Sequence, residues 1–166
     1  GLAVQKFIAS TALDSSRASL EAARGQLHAA KAQLDTAQVT LRQAALVWLD
    51  RLSDFRPHVS GAVWRGTATR LSSVHLDLYC DDPKAAEIAL INAGVHYDVG
   101  SLDRPGREPL SVLTVAERSL ALGEHVTLHL LLHDLDDQRG ALKPDARGRS
   151  WRGDLTALRR LMENPA

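Results

Sequence analysis

The residue types able to do chemistry in this 166-residue chain are seven histidines, one cysteine and scattered acids. Residues 74–80 alternate: Val74, Leu76, Leu78 and Cys80 face one way, and His75, Asp77 and Tyr79 face the other. Cys80 therefore belongs to an apolar face, where a buried structural thiol is expected rather than a nucleophile. A second apolar run, residues 126–132, is interrupted only by Thr127 and His129. His133 and Asp134 are metal-ligating types side by side, but no helical histidine partners precede them, and a strand-exit loop is expected. Asp134, Asp136 and Asp137 lack the glycine and terminal glutamate of a calcium loop. Arg139, Lys143, Arg147, Arg149 and Arg152 surround Trp151, the combination of charge and ring that phosphate or RNA binding uses. Asp145 and Asp154 interleave with them, which favours a solvated loop. Trp64 has a ring suited either to stacking a base or to filling a core.

The elements that must position these side chains fall into two parts. Before about residue 45 the chain is rich in Ala, Gln and Leu. Leu20, Leu27, Leu34 and Leu41 recur every seven residues, and Ala23, Ala30, Ala37 and Ala44 follow each by three. This makes a narrow apolar seam on one helix. The spacing predicts a helix over residues 14–54, capped at Asp14 or Ser15, open to a break near Asp35-Thr36 and ended by Pro57. Leu46, Val47, Trp48, Leu49, Leu52 and Phe55 widen its apolar surface toward a core. Then follow an expected strand at 59–63, a polar turn, the strand at 74–80, and a helix from Asp82-Pro83 to Gly94 burying Ala86, Ile88, Ala89, Leu90 and Ile91. Further strands are expected at 95–99, 110–113 and 126–132, with a loop at 100–109 and a short helix at 115–122. Asp154 caps a last helix carrying Leu155, Leu158, Leu161 and Met162. One mixed sheet with segregated helices is an α+β (α/β) arrangement. The expected domains are residues 1–45, helical and coiled-coil-like, and residues 46–166.

Bulk properties narrow the function classes. Twenty basic residues balance twenty acidic ones, so no global field recruits nucleic acid or an anionic membrane. One cysteine excludes an intramolecular disulfide. The longest apolar runs are strand-sized, too short to span a membrane. No signal-peptide pattern opens the sequence, and a cytoplasmic location is expected.

The segment "SGAVWRGTATRLSSVHLDLYCDD" (60–82) resembles the signature of the nucleotidyltransferase superfamily: a strand ending in Gly-Ser, a turn of the type Arg-Gly-x-Ala-x, and a strand with two acids at alternate positions. Gly61, Arg65, Gly66, Ala68 and Ser72 carry the likeness. The wording from residue 45 to 163 also resembles uncharacterised bacterial proteins described as nucleotidyltransferase-like. The resemblance implies a mixed sheet flanked by helices, and a divalent metal bound with a nucleoside triphosphate. Gly61, Ala62, Arg65, Gly66, Thr67 and Ser73 would approach the nucleotide, with His75 and Asp77 in the catalytic positions. The departures are specific. Gly61-Ala62 replaces Gly-Ser. The acid positions fall on Ser73 and His75, or two residues later on His75 and Asp77. A third acid would fall on His129. His75, Asp77 and His129 suit zinc or manganese better than magnesium. Separately, residues 6–44, with "AQLDTAQVTL", resemble one arm of the helical hairpin in periplasmic adaptor (membrane-fusion) subunits.

Three functions follow as expectations. A non-catalytic nucleotide- or partner-binding module with a degenerate metal site is favoured. The alternatives are an active enzyme moving a nucleotidyl group to a hydroxyl, and a structural protein that oligomerises through Leu20, Leu27, Leu34 and Leu41, with itself or with another protein.

Overall fold

A computed structural model describes residues 1–164. The chain divides into two compact units, Gly1–Thr36 and Ala37–Ala166. Helix α1 (Leu2–Arg51) starts well before the cap expected at Asp14 or Ser15, because the Ala, Leu, Gln and Lys of the opening residues are strong helix formers. It runs without a break through Asp35-Thr36. There the Thr36 hydroxyl donates back to the Ala32 carbonyl at 2.9 Å, a local bond that lets threonine sit inside a helix.

Within Gly1–Thr36 every residue is exposed, and Leu20, Leu27 and Leu34 of the seam stand 51%, 72% and 48% accessible. Within the second unit the same helix is buried along Ala37, Leu41, Ala45, Trp48 and Leu49, and Leu52 just beyond its end is buried too. After α1, Ser53–Phe55 form a 3-10 turn that ends at Arg56 with φ of 49°.

The second unit continues through β1 (His58–Ser60), α2 (Gly61–Arg65), β2 (Val74–Tyr79), α3 (Pro83–Asn92), β3 (Asp98–Arg104), β4 (Arg107–Ser119), β5 (Glu124–His133), α4 (Gln138–Ala141), β6 (Arg152–Gly153) and α5 (Leu155–Glu163). Six strands form one sheet in the order β3-β4-β5-β2-β1-β6. β2 and β5 run parallel and the other neighbours antiparallel. This is an α+β fold with a mixed sheet and a long N-terminal helix, as expected.

Period-two burial sets the sheet's two faces. Val59, Val74, Leu76, Leu78, Leu113, Val115, Val126, Leu128, Leu130 and Leu132 join Leu41, Ala45, Trp48, Leu49, Ala86, Leu90 and Leu158 in one core. The other face carries the polar residues.

Several expected elements differ. The strand at 59–63 stops at Ser60, because Gly61 takes φ of 71° and turns the chain into α2. The loop at 100–109 is a β3–β4 hairpin, and the helix at 115–122 is absent. There Val115 pairs with Leu128 and Glu117 with Val126 in the β4–β5 ladder, so tertiary pairing overrides local helix propensity. α3 has the expected cap, with Lys84 N donating to Asp82 Oδ1 at 3.0 Å. However, Ile88 and Ile91 remain 55% and 61% exposed rather than buried.

Candidate functional site

The polar face gathers most of the residues singled out by sequence. Register pairs His58 with Asp77 and Ser60 with His75 across β1–β2. His75 pairs with His129, and Tyr79 with His133, across β2–β5. Ser60 pairs with Arg152 across β1–β6, and Thr114 with His129 across β4–β5. The alternation that exposes His75 thus brings four histidines and Asp77 onto one surface.

The turn entering this surface is fixed by α1. Gln38 donates from Nε2 to the Val63 carbonyl and accepts from Ala68 N, both at 2.8 Å. Arg42 donates to the carbonyls of Val63 at 2.9 Å and Trp64 at 3.0 Å. The amides of Gly66 and Thr67 both donate to the Ala62 carbonyl. Those two amides, with that of Ala68, close the turn and are not free for phosphate. Gly61 lies against His75, where an added Cβ would meet Nδ1 at 3.5 Å. Glycine is required there by its positive φ, not by lack of space. Ala62 is half-buried in α2, Arg65 and Thr67 are exposed, and Ser73 is half-buried before β2.

Asp77 is the buried carboxylate of the face. His133 Nε2 donates to its Oδ1 at 2.7 Å, and Arg152 Nη1 stands 3.3 Å from Oδ2 without hydrogen-bond geometry. Arg152 Nη1 also donates to the Tyr79 hydroxyl at 2.8 Å, and the Tyr79 ring stacks on His133 at 5.0 Å. Burial pushes the Asp77 carboxyl up, but the His133 and nearby Ser60 hydrogen bonds and the Arg152 charge outweigh it, holding it below the usual range. Burial raises the Tyr79 hydroxyl, with Asp77 adding to the effect. His58 donates from Nδ1 to the Arg56 carbonyl at 2.9 Å and meets Tyr79 edge-on. Burial lowers its pKa.

His75 and His129 make a second cluster. Their rings meet edge-on at 5.4 Å, and His129 Nδ1 is hydrogen-bonded to Thr114 Oγ1 at 3.0 Å. Burial, then the neighbouring His129, lowers the His75 pKa.

Magnesium needs hard oxygen donors in near-octahedral array. This face offers one carboxylate, already engaged by a guanidinium and an imidazole, so its residues do not fit that ion. Among the described residues no group of three or more His, Cys, Asp or Glu side chains is placed to hold a metal. His75, Asp77 and His129 share a face without forming such a group.

Other candidates find structural roles. Cys80 is half-buried, and burial raises its thiol pKa. Trp64 donates from Nε1 to the Ser150 carbonyl at 3.0 Å and covers Gly153, where an added Cβ would sit 2.3 Å from the ring. Asp145 accepts from the amides of Arg147 and Arg149, tying the basic loop to itself. Sequence reasoning did not anticipate Arg152 and His133 as partners of Asp77. The four-residue spacing of His129 and His133 on a period-two strand carried that signal for His133. Nothing local carried it for Arg152.

No family model matches the chain, and no curated protein matches it. Among solved structures, Cid1 poly(U) polymerase with MgGTP bound is 17% identical, with a TM-score of 0.39 over 58% of this chain and 32% of that one. The same polymerase in complex with its short product ApU is 20% identical, with a TM-score of 0.38 over 57% and 30%. A cytoplasmic RNA terminal U-transferase is 18% identical, with a TM-score of 0.34 over 62% and 29%. The chain spans about a third of the length of the structures to which it is similar.

Proposed function

We propose that residues 37–166 form a nucleotidyltransferase-like domain that has lost metal-dependent transfer and acts as a non-catalytic binding module for a nucleotide. The observation that carries this reading is Asp77, set on β2 beside the Gly61 turn and held by His133 at 2.7 Å and Arg152 at 3.3 Å. Transfer chemistry of this class relies on metal cations to neutralise charge developing on the phosphates. Here the partners of the acid are the protein's own side chains. Arg152 and His133 satisfy the acid, and Arg65 adds positive charge near His75. Asp154 is used as the cap of α5, and Asp137 is paired with Arg107. The face therefore favours an anionic ligand without an added metal.

A thermal-shift titration with ATP and UTP in EDTA tests the reading. A saturable rise in melting temperature, unchanged by added magnesium and accompanied by no transfer product, is the expected result. Stabilisation that requires magnesium, or a labelled nucleotidyl product, would overturn it in favour of an active enzyme.

A second reading concerns the first unit and is compatible with the first. Leu20, Leu27 and Leu34 form an exposed apolar seam along α1, and such a stripe calls for a partner helix, from a second copy or another protein. Light scattering of the full chain and of Leu27→Glu tests self-association. An oligomer that dissociates on substitution supports pairing between copies, and a wild-type monomer excludes it.

A further inference from the structure

The His75–His129 pair is left outside the Asp77 network, and its geometry suits a different chemistry. The two residues are direct partners on adjacent parallel strands, and their ring centroids lie 5.4 Å apart. Two imidazoles bound to one tetrahedral ion, with metal–nitrogen distances of about 2.0–2.1 Å, have centroids about 5.2 Å apart. The observed centroid spacing is close to that separation. His129 is oriented through Nδ1 by Thr114 Oγ1 at 3.0 Å, which leaves Nε2 as its ligating atom. A hydrogen bond at the far ring nitrogen is how ligating histidines are commonly held. His75 is exposed beside Gly61, so an ion has access from solvent.

We propose that His75 and His129 form a two-histidine site for a borderline divalent cation such as Zn2+ or Ni2+, with the remaining coordination positions filled by solvent. Imidazole nitrogen selects these ions over magnesium. Asp77 is not a ligand, because its oxygens face His133 and Arg152. The site stands on the histidine pair alone and holds whether or not the domain binds a nucleotide.

The test is a titration of the metal-free full chain with Zn2+ against a chromogenic zinc indicator, with the visible spectrum of bound Co2+ as a second readout. One equivalent is expected to bind. His75→Ala and His129→Ala should each weaken it at least tenfold and abolish the Co2+ spectrum, and Thr114→Val should weaken it roughly tenfold. Millimolar Mg2+ should not compete. Melting in EDTA checks that each variant is folded, and His129→Gln replaces His129→Ala if the latter is not. The proposal fails if the wild type binds no Zn2+. It fails equally if the double variant His75→Ala/His129→Ala keeps wild-type affinity, which would place the ion on the exposed His28, His96 or His125.

Discussion

The two ends of the polar sheet face solve opposite problems with similar residues. At the Asp77 end, a buried acid meets an imidazole and a guanidinium that also donates to the Tyr79 hydroxyl, and its charge is met inside the protein. At the His75 end, two imidazoles face each other with a threonine behind one of them and no acid between. A charge already met by fixed partners gives stability and resists a ligand, whereas donors left open can take one. The closed end does not offer magnesium the hard oxygen donors it needs, and the open end leaves its imidazole donors available.

The largest expected effect breaks the closed end. Asp77→Ala leaves the half-buried Arg152 without its counter-ion and His133 without its acceptor, and should cost about 1–3 kcal/mol, read from urea unfolding. The double variant Asp77→Ala/Arg152→Met should recover part of that loss, and a strictly additive double variant would mean that the two charges do not interact. Gly153→Ala comes next. It drives a methyl into the Trp64 ring and should cost about 1–3 kcal/mol, while Trp64→Leu in the same background should restore part of the loss.

A smaller effect separates the ends by pH. His58 and His75 have folded-state pKa values below their ordinary 6.5 because burial disfavours the cation. The folded state thus holds fewer protons than the unfolded one, and stability should be full above pH 6.5 and fall as pH drops below it. Asp77 has the opposite origin. Its carboxyl is held below its ordinary value of 3.8, so its contribution is present above that pH and lost only as pH falls through the lower folded value. Melting temperature against pH in metal-free buffer should show two separate declines. His75→Asn should diminish the one near neutrality and leave the acid one in place. The smallest effect is Thr114→Val, which should change stability by under about 1 kcal/mol while weakening zinc binding at the open end.

Much of this arrangement was legible in the sequence because period-two alternation is local. The 74–80 pattern fixed which side of β2 carries His75, Asp77 and Tyr79, and Asp82-Pro83 marked the start of α3. Asp154 marked α5 in the same way. The misread segments were those where a distant partner decides. Residues 115–119 are strand because β5 lies beside them, and residues 98–104 are strand because β4 does. Arg152 reads as one of five basic loop residues until β6 pairs with β1 and carries it to Asp77. Gln38 and Arg42 look like ordinary helix surface, yet they hold the Gly61 turn across more than twenty residues of sequence.

The most direct measurement of the central claim is calorimetric titration of ATP, with and without magnesium, into the wild type and Asp77→Asn. With Asp77 as an internal counter-ion, the two proteins should bind ATP alike, and magnesium should add nothing to either. Magnesium-dependent binding in the wild type that disappears in Asp77→Asn would show that the acid still holds a metal, and would contradict the account.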